Sequence, residues 1–240
     1  TDPRIMTPTY RSGTGDGSTD PAIQSFPRSN SGLNSDYPNG QGPKPATDAI
    51  IGDIGSTWGI AWQANKKRAY AASFLKRHTG LAHGLGAVYV LDEINKPGQF
   101  VKYFNLQGVT PVNAPTETID LGSVCRDAVC AAEAGRTGIA NDYVLPDTTG
   151  TNSVDMDAFY KIGLRPWALN FSQGKGFLGI TCDAFNSRNA ADLKASVLMF
   201  DPNNLTAGFS SVLSFPLNYS RHTLSAEFQP WLDEATATTG

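Results

Sequence analysis

Two histidines in one loop are the side chains whose type and spacing most readily suggest metal chemistry. His78 and His83 stand five residues apart in the segment KRHTGLAHGLG. Imidazole is a common metal ligand, and a glycine-rich loop can bring two of them together. Two imidazoles do not make a metal site by themselves, so a third ligand such as Asp92, Asp183 or His222 is required. The alternative is a loop whose cationic side chains hydrogen-bond backbone carbonyls and cap neighbouring strands.

Acidic turns offer a second set of ligands, of the kind that calcium prefers. Asp16 and Asp20 lie together in DGSTD, and Asp155 and Asp157 lie together in DMD. Calcium binds carboxylate and backbone oxygens in such turns, although neither segment has the glutamate that ends the twelve-residue calcium loop. The same turns also form because Asp side chains hydrogen-bond their own backbone. No cofactor is therefore predicted, and calcium bound at these turns is the alternative.

The histidine loop also carries a cationic cluster of Lys76, Arg77 and His78. Such a cluster can bind an acidic sugar, a sulfate or the carboxylates of a partner protein through charge-assisted hydrogen bonds. A structural role within the loop is the alternative. A surface glycan is accordingly one of the predicted partners.

No catalytic residues are predicted. The sequence has no Gly-x-Ser-x-Gly motif, and its three histidines have no acidic partner close in sequence. The segment GTGDG neither follows a strand nor opens a helix, which excludes a phosphate-binding loop. We therefore expect a protein that is not an enzyme.

Composition excludes further classes of function. The 240 residues carry a net charge of −3, so there is no basic field for nucleic acid. No apolar run is long enough to span a membrane. The 24 glycines and 15 prolines are typical of a turn-rich, all-β protein.

Three cysteines are present. Cys125 and Cys130 lie in CRDAVC, where a short-loop disulfide is predicted if the compartment is oxidising, and two free thiols are the alternative. Cys182 lies in an apolar run and is predicted to be a buried strand residue.

The pattern of strands and turns divides the chain into five segments. Two of them are predicted four-stranded meanders, the unit from which β-propeller blades are made. The others are rich in small and polar residues, and AIQSF is the only strand predicted near the N-terminus. The segments are an extended arm that contributes an edge strand (1–48), a blade-like repeat (49–106), a long insertion (107–160), a second blade-like repeat (161–220) and a tail (221–240).

The two meanders form an internal repeat. The same spacing separates Trp58 from Trp167 and Asp92 from Asp201, and KKRAYAAS corresponds to GKGFLGIT with a two-residue slip. Each such meander has apolar faces that it cannot cover alone and needs neighbours. The repeating tryptophans, with Trp62, are therefore predicted to pack in the core between blades, and a sugar-stacking platform is the alternative.

One segment resembles a known kind of repeat. IGSTWGIAWQANKKRAYAASFLKRHTGLAHGLGAVYVLD is similar to a blade of the YVTN/NHL-like β-propellers in secreted bacterial surface proteins. STDPAIQSFP and GRTG resemble segments that flank that blade, and KIGLRPWALNFSQGKGFLGITCD resembles the next blade, with Arg165, Pro166 and Trp167 in place of its usual Gly-Asp element. The resemblance implies an exported scaffold at the cell surface or beyond it. It implies no chemistry for particular residues.

These observations predict an all-β chain, a partial or complete β-propeller with an extended N-terminal arm. Two repeats are too few to close a ring of about four to eight blades, so we expect a fragment, or a chain completed by copies of itself or by a partner. The expected function is an extracellular scaffold, in which residues 18–30 add a strand to a neighbour and build multimers or filaments. The alternative is a propeller hydrolase or lyase, acting on polysaccharide or lactone with a metal on the axis.

Overall fold

The computed structural model describes residues 3–9, 18–30, 45–74, 82–92, 99–119, 164–182 and 194–217. These residues form an all-β structure with very little helix, as the composition predicts. The one α-helix among them, α1, is a single turn. The elements are β1 (Arg4–Pro8), β2 (Pro21–Pro27), β3 (Ala46–Ile50), α1 (Ile51–Ile54), β4 (Thr57–Gln63), β5 (Arg68–Ser73), β6 (Ala87–Asp92), β7 (Phe100–Asn105), β8 (Leu164–Ser172), β9 (Lys175–Cys182), β10 (Lys194–Phe200) and β11 (Phe209–Pro216).

The strands pair into three antiparallel sheets. Sheet 1 has the order β1-β2-β3, sheet 2 the order β4-β5-β6-β7, and sheet 3 the order β8-β9-β10-β11. Sheets 2 and 3 are thus meanders in which each strand pairs with the next one along the chain. AIQSF, which was expected to be an edge strand, lies in β2 at the centre of sheet 1 and pairs on both sides.

Sheets 2 and 3 share their register as well as their strand order. Trp58 lies at an interruption of the β4–β5 ladder, and Trp167 lies at an interruption of the β8–β9 ladder. Asp92 ends β6, and Asp201 directly follows the last residue of β10. The correspondence that the sequence suggests between the two segments therefore holds in the backbone.

The hairpin turns explain the two-residue slip between the repeats. The β8–β9 turn has two residues, Gln173 and Gly174, with φ angles of 49° and 79°. Two consecutive positive φ angles are the requirement of a type I′ turn, which glycine meets without strain. The β4–β5 connection is longer, running from Gln63 to Arg68, and it reaches a positive φ only at Lys67.

Sheet 2 lies between the other two sheets, and the residues of β6 are buried on both of its faces. In sheets 1 and 2, we call the face that points towards the next sheet in chain order the front face, and the opposite face the back face. In sheet 3, the back face points towards sheet 2 and the front face points away from it. The front of sheet 1 packs on the back of sheet 2 in a cluster of small and branched side chains: Ala22, Ile23, Ala49, Ile51, Ile54, Ala69, Ala71, Ala87, Tyr89 and Leu91.

The front of sheet 2 packs on the back of sheet 3 through aromatic rings. The ring centroids of Tyr70 and Phe171 are 4.7 Å apart, and those of Phe104 and Phe200 are 5.3 Å apart. The Tyr70 hydroxyl donates a hydrogen bond to Oε1 of Gln63 over 3.2 Å. Tilted aromatic pairs at these distances add specific attraction to the burial of apolar area.

The first strand of each sheet lies beside the first strand of the next. β4 contacts both β1 and β8, and all three are edge strands of their sheets. The sheets are therefore stacked with these strands on a common side.

The prediction that the tryptophans of β4 pack in the core is wrong. Trp58 is 51% exposed and Trp62 is 49% exposed. Both indoles lie on an edge strand, where they alternate with the buried residues Thr57, Ala61 and Gln63. Trp58 does pack against Phe74, with ring centroids 5.2 Å apart, but neither indole is enclosed between sheets.

Some predicted features fall outside the part of the chain that the structure describes. These include the cysteine pair of the proposed disulfide, Cys125 and Cys130, and most of the insertion, from residue 120 to residue 160. Cys182 is the last residue of β9. No helix among the described residues has the length and apolar character needed to cross a bilayer.

Candidate functional site

The front face of sheet 3 is the candidate site, because it is a broad apolar surface with no sheet against it in the described structure. Its residues alternate along three strands: Phe177 in β9, Val197 and Met199 in β10, and Leu213 and Phe215 in β11. The register places Phe177 opposite Met199, and Leu213 opposite Val197, so these side chains share one face. Leu213 is 50% exposed and Phe215 is 45% exposed.

The internal repeat gives four of these five positions a counterpart in sheet 2. Phe177 lies two residues after Lys175, the first residue of β9, just as Tyr70 lies two residues after Arg68, the first residue of β5. Val197 and Met199 precede Asp201 as Val88 and Val90 precede Asp92. Leu213 is opposite Val197, and Phe104 is opposite Val88.

Three of the four counterparts in sheet 2 are buried, and Phe104 is half-buried. Tyr70, Val88 and Val90 are each at most 1% exposed, because the back of sheet 3 lies on them. The front of sheet 3 thus has the residue pattern of a sheet–sheet interface. A contiguous apolar surface of this kind marks a site of interaction with another protein.

An ion pair at the same place in each repeat joins the second and third strands. In sheet 2, Nη2 of Arg68 lies 3.1 Å from Oδ2 of Asp92, whose side chain is 8% exposed. In sheet 3, Nζ of Lys175 lies 2.9 Å from Oδ2 of Asp201, and both side chains are more exposed. The hydrogen bond from Lys175 lowers the pKa of Asp201, and the backbone amide of Asn203 adds to the effect.

Hydrogen bonds from Arg4 to the buried residue Ser25 hold the edge strand β1 against β2. Arg4 donates hydrogen bonds from Nη2 to the Ser25 hydroxyl over 2.8 Å and to the Ser25 carbonyl over 2.9 Å. Asp48 is 3% exposed, and its Oδ2 has no hydrogen-bond partner. Burial raises the pKa of Asp48, while the hydrogen bond from Ser25 and the charge of Arg4 oppose the rise.

His83 lies among aromatic rings rather than among carboxylates. Its ring centroid is 3.9 Å from that of Tyr103 and 5.7 Å from that of Tyr89. The side chain of Asn105 donates a hydrogen bond to the His83 carbonyl over 3.1 Å. The Tyr89 hydroxyl is buried beside the His83 backbone without a well-formed hydrogen bond, and burial raises the pKa of Tyr89 far above its usual range.

The described residues contain no group of three His, Cys, Asp or Glu side chains that could hold a metal ion. Asp92, one of the candidate third ligands for the histidine pair, is engaged by Arg68. Asp20 lies in a bend before β2, where its carbonyl accepts a hydrogen bond from the Ile51 amide over 2.8 Å. The remaining predicted site residues lie outside the described residues and stay predictions: Asp16, Lys76, Arg77, His78, Asp155, Asp157, Asp183 and His222.

Sequence reasoning did not single out the front face of sheet 3, although a signal for it exists. The segment KASVLMF carries apolar residues on both faces of its strand. A strand that is apolar on both faces is typical of a sheet that is covered on both sides.

Comparison with known proteins gives a distant relative. No family model matches the chain. The chain is similar to Colossin-A of Dictyostelium discoideum, with 25% identity over 224 residues. The match covers 75% of this chain and 2% of Colossin-A, so the chain spans only a small part of the relative's length.

Proposed function

We propose that this protein is an extracellular interaction scaffold, a propeller-like stack of sheets whose open sheet face binds another protein. The observation that carries the proposal is the front face of sheet 3. Four of its five apolar residues have counterparts in sheet 2, and three of those counterparts, Tyr70, Val88 and Val90, are buried on the side that faces sheet 3.

The propeller-like arrangement is supported by the way the sheets follow one another. Each of sheets 2 and 3 is a four-stranded meander, and the first strands of the three sheets lie side by side. Blades of a β-propeller are four-stranded sheets that are stacked radially around a channel. In this proposal β1, β4 and β8 are the strands nearest the axis.

The extracellular location is supported by the turn-rich composition and by the resemblance of residues 54–92 to blades of secreted bacterial surface proteins. Intact cells that produce the protein offer a direct test. A membrane-impermeant amine label should modify the protein on intact cells as efficiently as in a lysate. Labelling that requires lysis would contradict the location.

Association by a free strand from residues 18–30 has less support than association through a sheet face. These residues include β2, which already pairs with β1 on one side and β3 on the other. Strand addition to a neighbour would require both ladders to open. The front face of sheet 3 needs no such rearrangement.

Site-specific photo-crosslinking tests the scaffold function. A benzophenone amino acid placed at Leu213 should form adducts with a defined protein in producing cells. The same probe at Val112 is the matched control, because Val112 is apolar and 64% exposed but is not one of the front-face residues. No adduct at position 213, or the same adducts at both positions, would overturn the proposal.

The exposed tryptophans of β4 favour a second candidate function, the binding of a glycan. Trp58 and Trp62 are each about half exposed, and an indole face can stack on the apolar face of a sugar ring. Titration with soluble surface polysaccharide should change tryptophan fluorescence, and Trp62→Ala should weaken the response. A response that is unaltered in Trp58→Ala and in Trp62→Ala would exclude this site.

A further inference from the structure

We propose that a second copy of this chain covers the front face of sheet 3, using the back face of its own sheet 1, so that copies associate head to tail. The inference rests on the proposed function, since it names the partner of the same surface. It is carried by the two sheet–sheet interfaces inside the chain, which both join the front of one sheet to the back of the next.

The repeat identifies the partner as a sheet. On sheet 2, the positions equivalent to Phe177, Val197 and Leu213 are Tyr70, Val88 and Phe104, and a sheet lies on them. Surfaces with the same spacing of apolar side chains on the same strand geometry accept the same kind of partner. A helix or an extended peptide would leave part of this three-strand surface uncovered.

Sheet 1 has a back face on which none of the described sheets packs. In β1 and β2, Met6 and Ile23 point to the front, towards sheet 2. By strand alternation Ile5 and Phe26, which lie opposite one another, are on the back. Ile5 is 39% exposed, which is consistent with a face that no described part of the chain covers.

A front-to-back contact joins two different surfaces and is therefore heterologous. Such contacts either propagate or close into a ring. Two copies joined at both ends would bring together six of the described sheets, which is within the range of about four to eight blades for closed propellers. In such a ring, the contact would cover the front of sheet 3 and the back of sheet 1 in each copy.

Sedimentation analysis of purified full-length chain over a wide concentration range tests the proposal. The wild type should associate reversibly. Leu213→Lys on the front face and Ile5→Lys on the back face should each reduce the association constant by at least tenfold. Phe215→Lys is a second front-face variant, in case Leu213→Lys disturbs folding, and Val112→Lys is the control that should associate like the wild type.

Mixing the variants gives the sharpest result. Leu213→Lys retains an intact back face and Ile5→Lys retains an intact front face. The mixture should therefore recover association that neither variant shows alone, and it should stop at a one-to-one heterodimer. This complementation is specific to a head-to-tail contact.

Three outcomes would overturn the inference. A wild type that is monomeric at every concentration would exclude the second copy as the partner. Front-face variants that abolish association while Ile5→Lys has no effect would indicate a symmetric front-to-front dimer instead. A mixture that remains monomeric would exclude the head-to-tail pairing. In each case a crosslink from position 213 to a different protein would leave the scaffold function standing.

Discussion

Gly176 is the position at which a single methyl group should disturb the interface between sheets 2 and 3 most strongly. It lies opposite Phe200 in the β9–β10 ladder, and a Cβ at this position would overlap the Phe200 ring. Phe200 is 2% exposed. It cannot easily move away, because four aromatic rings surround it: Tyr70, Phe104, Phe171 and Phe209.

The expected loss for Gly176→Ala follows from this crowding. Overpacking a well-packed core costs typically about 1–3 kcal/mol, and the enclosed ring places this substitution near the upper value. A chain of this size loses about 2–4 °C of melting temperature per kcal/mol. We therefore expect a fall of about 6–12 °C in thermal unfolding followed by circular dichroism, with a matching shift in urea titrations.

Two further variants make the test specific. Gly179→Ala, also in β9, places its Cβ 3.2 Å from the Ala168 Cβ, so its loss should be clearly smaller. Phe200→Leu in the Gly176→Ala background should recover part of the loss, because sheet 2 has Ala69 opposite Leu91 at the equivalent pair. A Gly176→Ala protein within about 0.5 kcal/mol of the wild type, or strictly additive effects in the double variant, would refute the reasoning.

Three other predictions follow from the polar groups. Arg68→Met removes the ion pair with the buried Asp92 carboxylate and should reduce the free energy of unfolding by about 1–3 kcal/mol. Lys175→Met, in the exposed equivalent pair, should cost clearly less, and equal losses in urea titrations would contradict this order. The pKa of Asp48 is raised in the folded state, so the folded protein binds the carboxyl proton more tightly than the unfolded chain does. Ionisation of Asp48 therefore destabilises the folded protein. Relative to Asp48→Asn, the wild type should therefore lose stability as the pH rises above about 4, and a difference independent of pH would exclude this. Tyr89→Phe should be neutral or stabilising by up to about 1 kcal/mol, because it removes a hydroxyl without a well-formed hydrogen bond. Tyr70→Phe should cost about 1 kcal/mol, because it removes the hydrogen bond to Gln63. The reverse order of the two variants in thermal unfolding would contradict this prediction.

Local pattern was sufficient for sheets 2 and 3 and for the repeat, but it did not predict β1 or β3 of sheet 1. Alternation in STWGIAWQ and the apolar run AVYVLD predict β4 and β6, and the matched Trp and Asp positions predict the shared register of sheets 2 and 3. Strand alternation and turn residues act over a few neighbours, so they can be read from the sequence itself.

Candidate chemistry was less predictable. The spacing of His83 from His78 suggested a shared metal, but the side chains that meet His83 come from β6 and β7, and they are aromatic. A ligand set depends on which distant strands converge. That is a property of packing and not of spacing along the chain.

The amino-acid sequence by itself determined that this protein is built from antiparallel meanders, and it placed the residues that recur in two of them. Only the tertiary structure decided which faces are covered. It exposes Trp58 and Trp62 at an edge strand, it places β2 at the centre of sheet 1, and within the described ranges it sets no sheet on the front of sheet 3. The physical reason is that the residues along a strand specify which side chains share a face, whereas the cover for that face comes from strands far away in the chain.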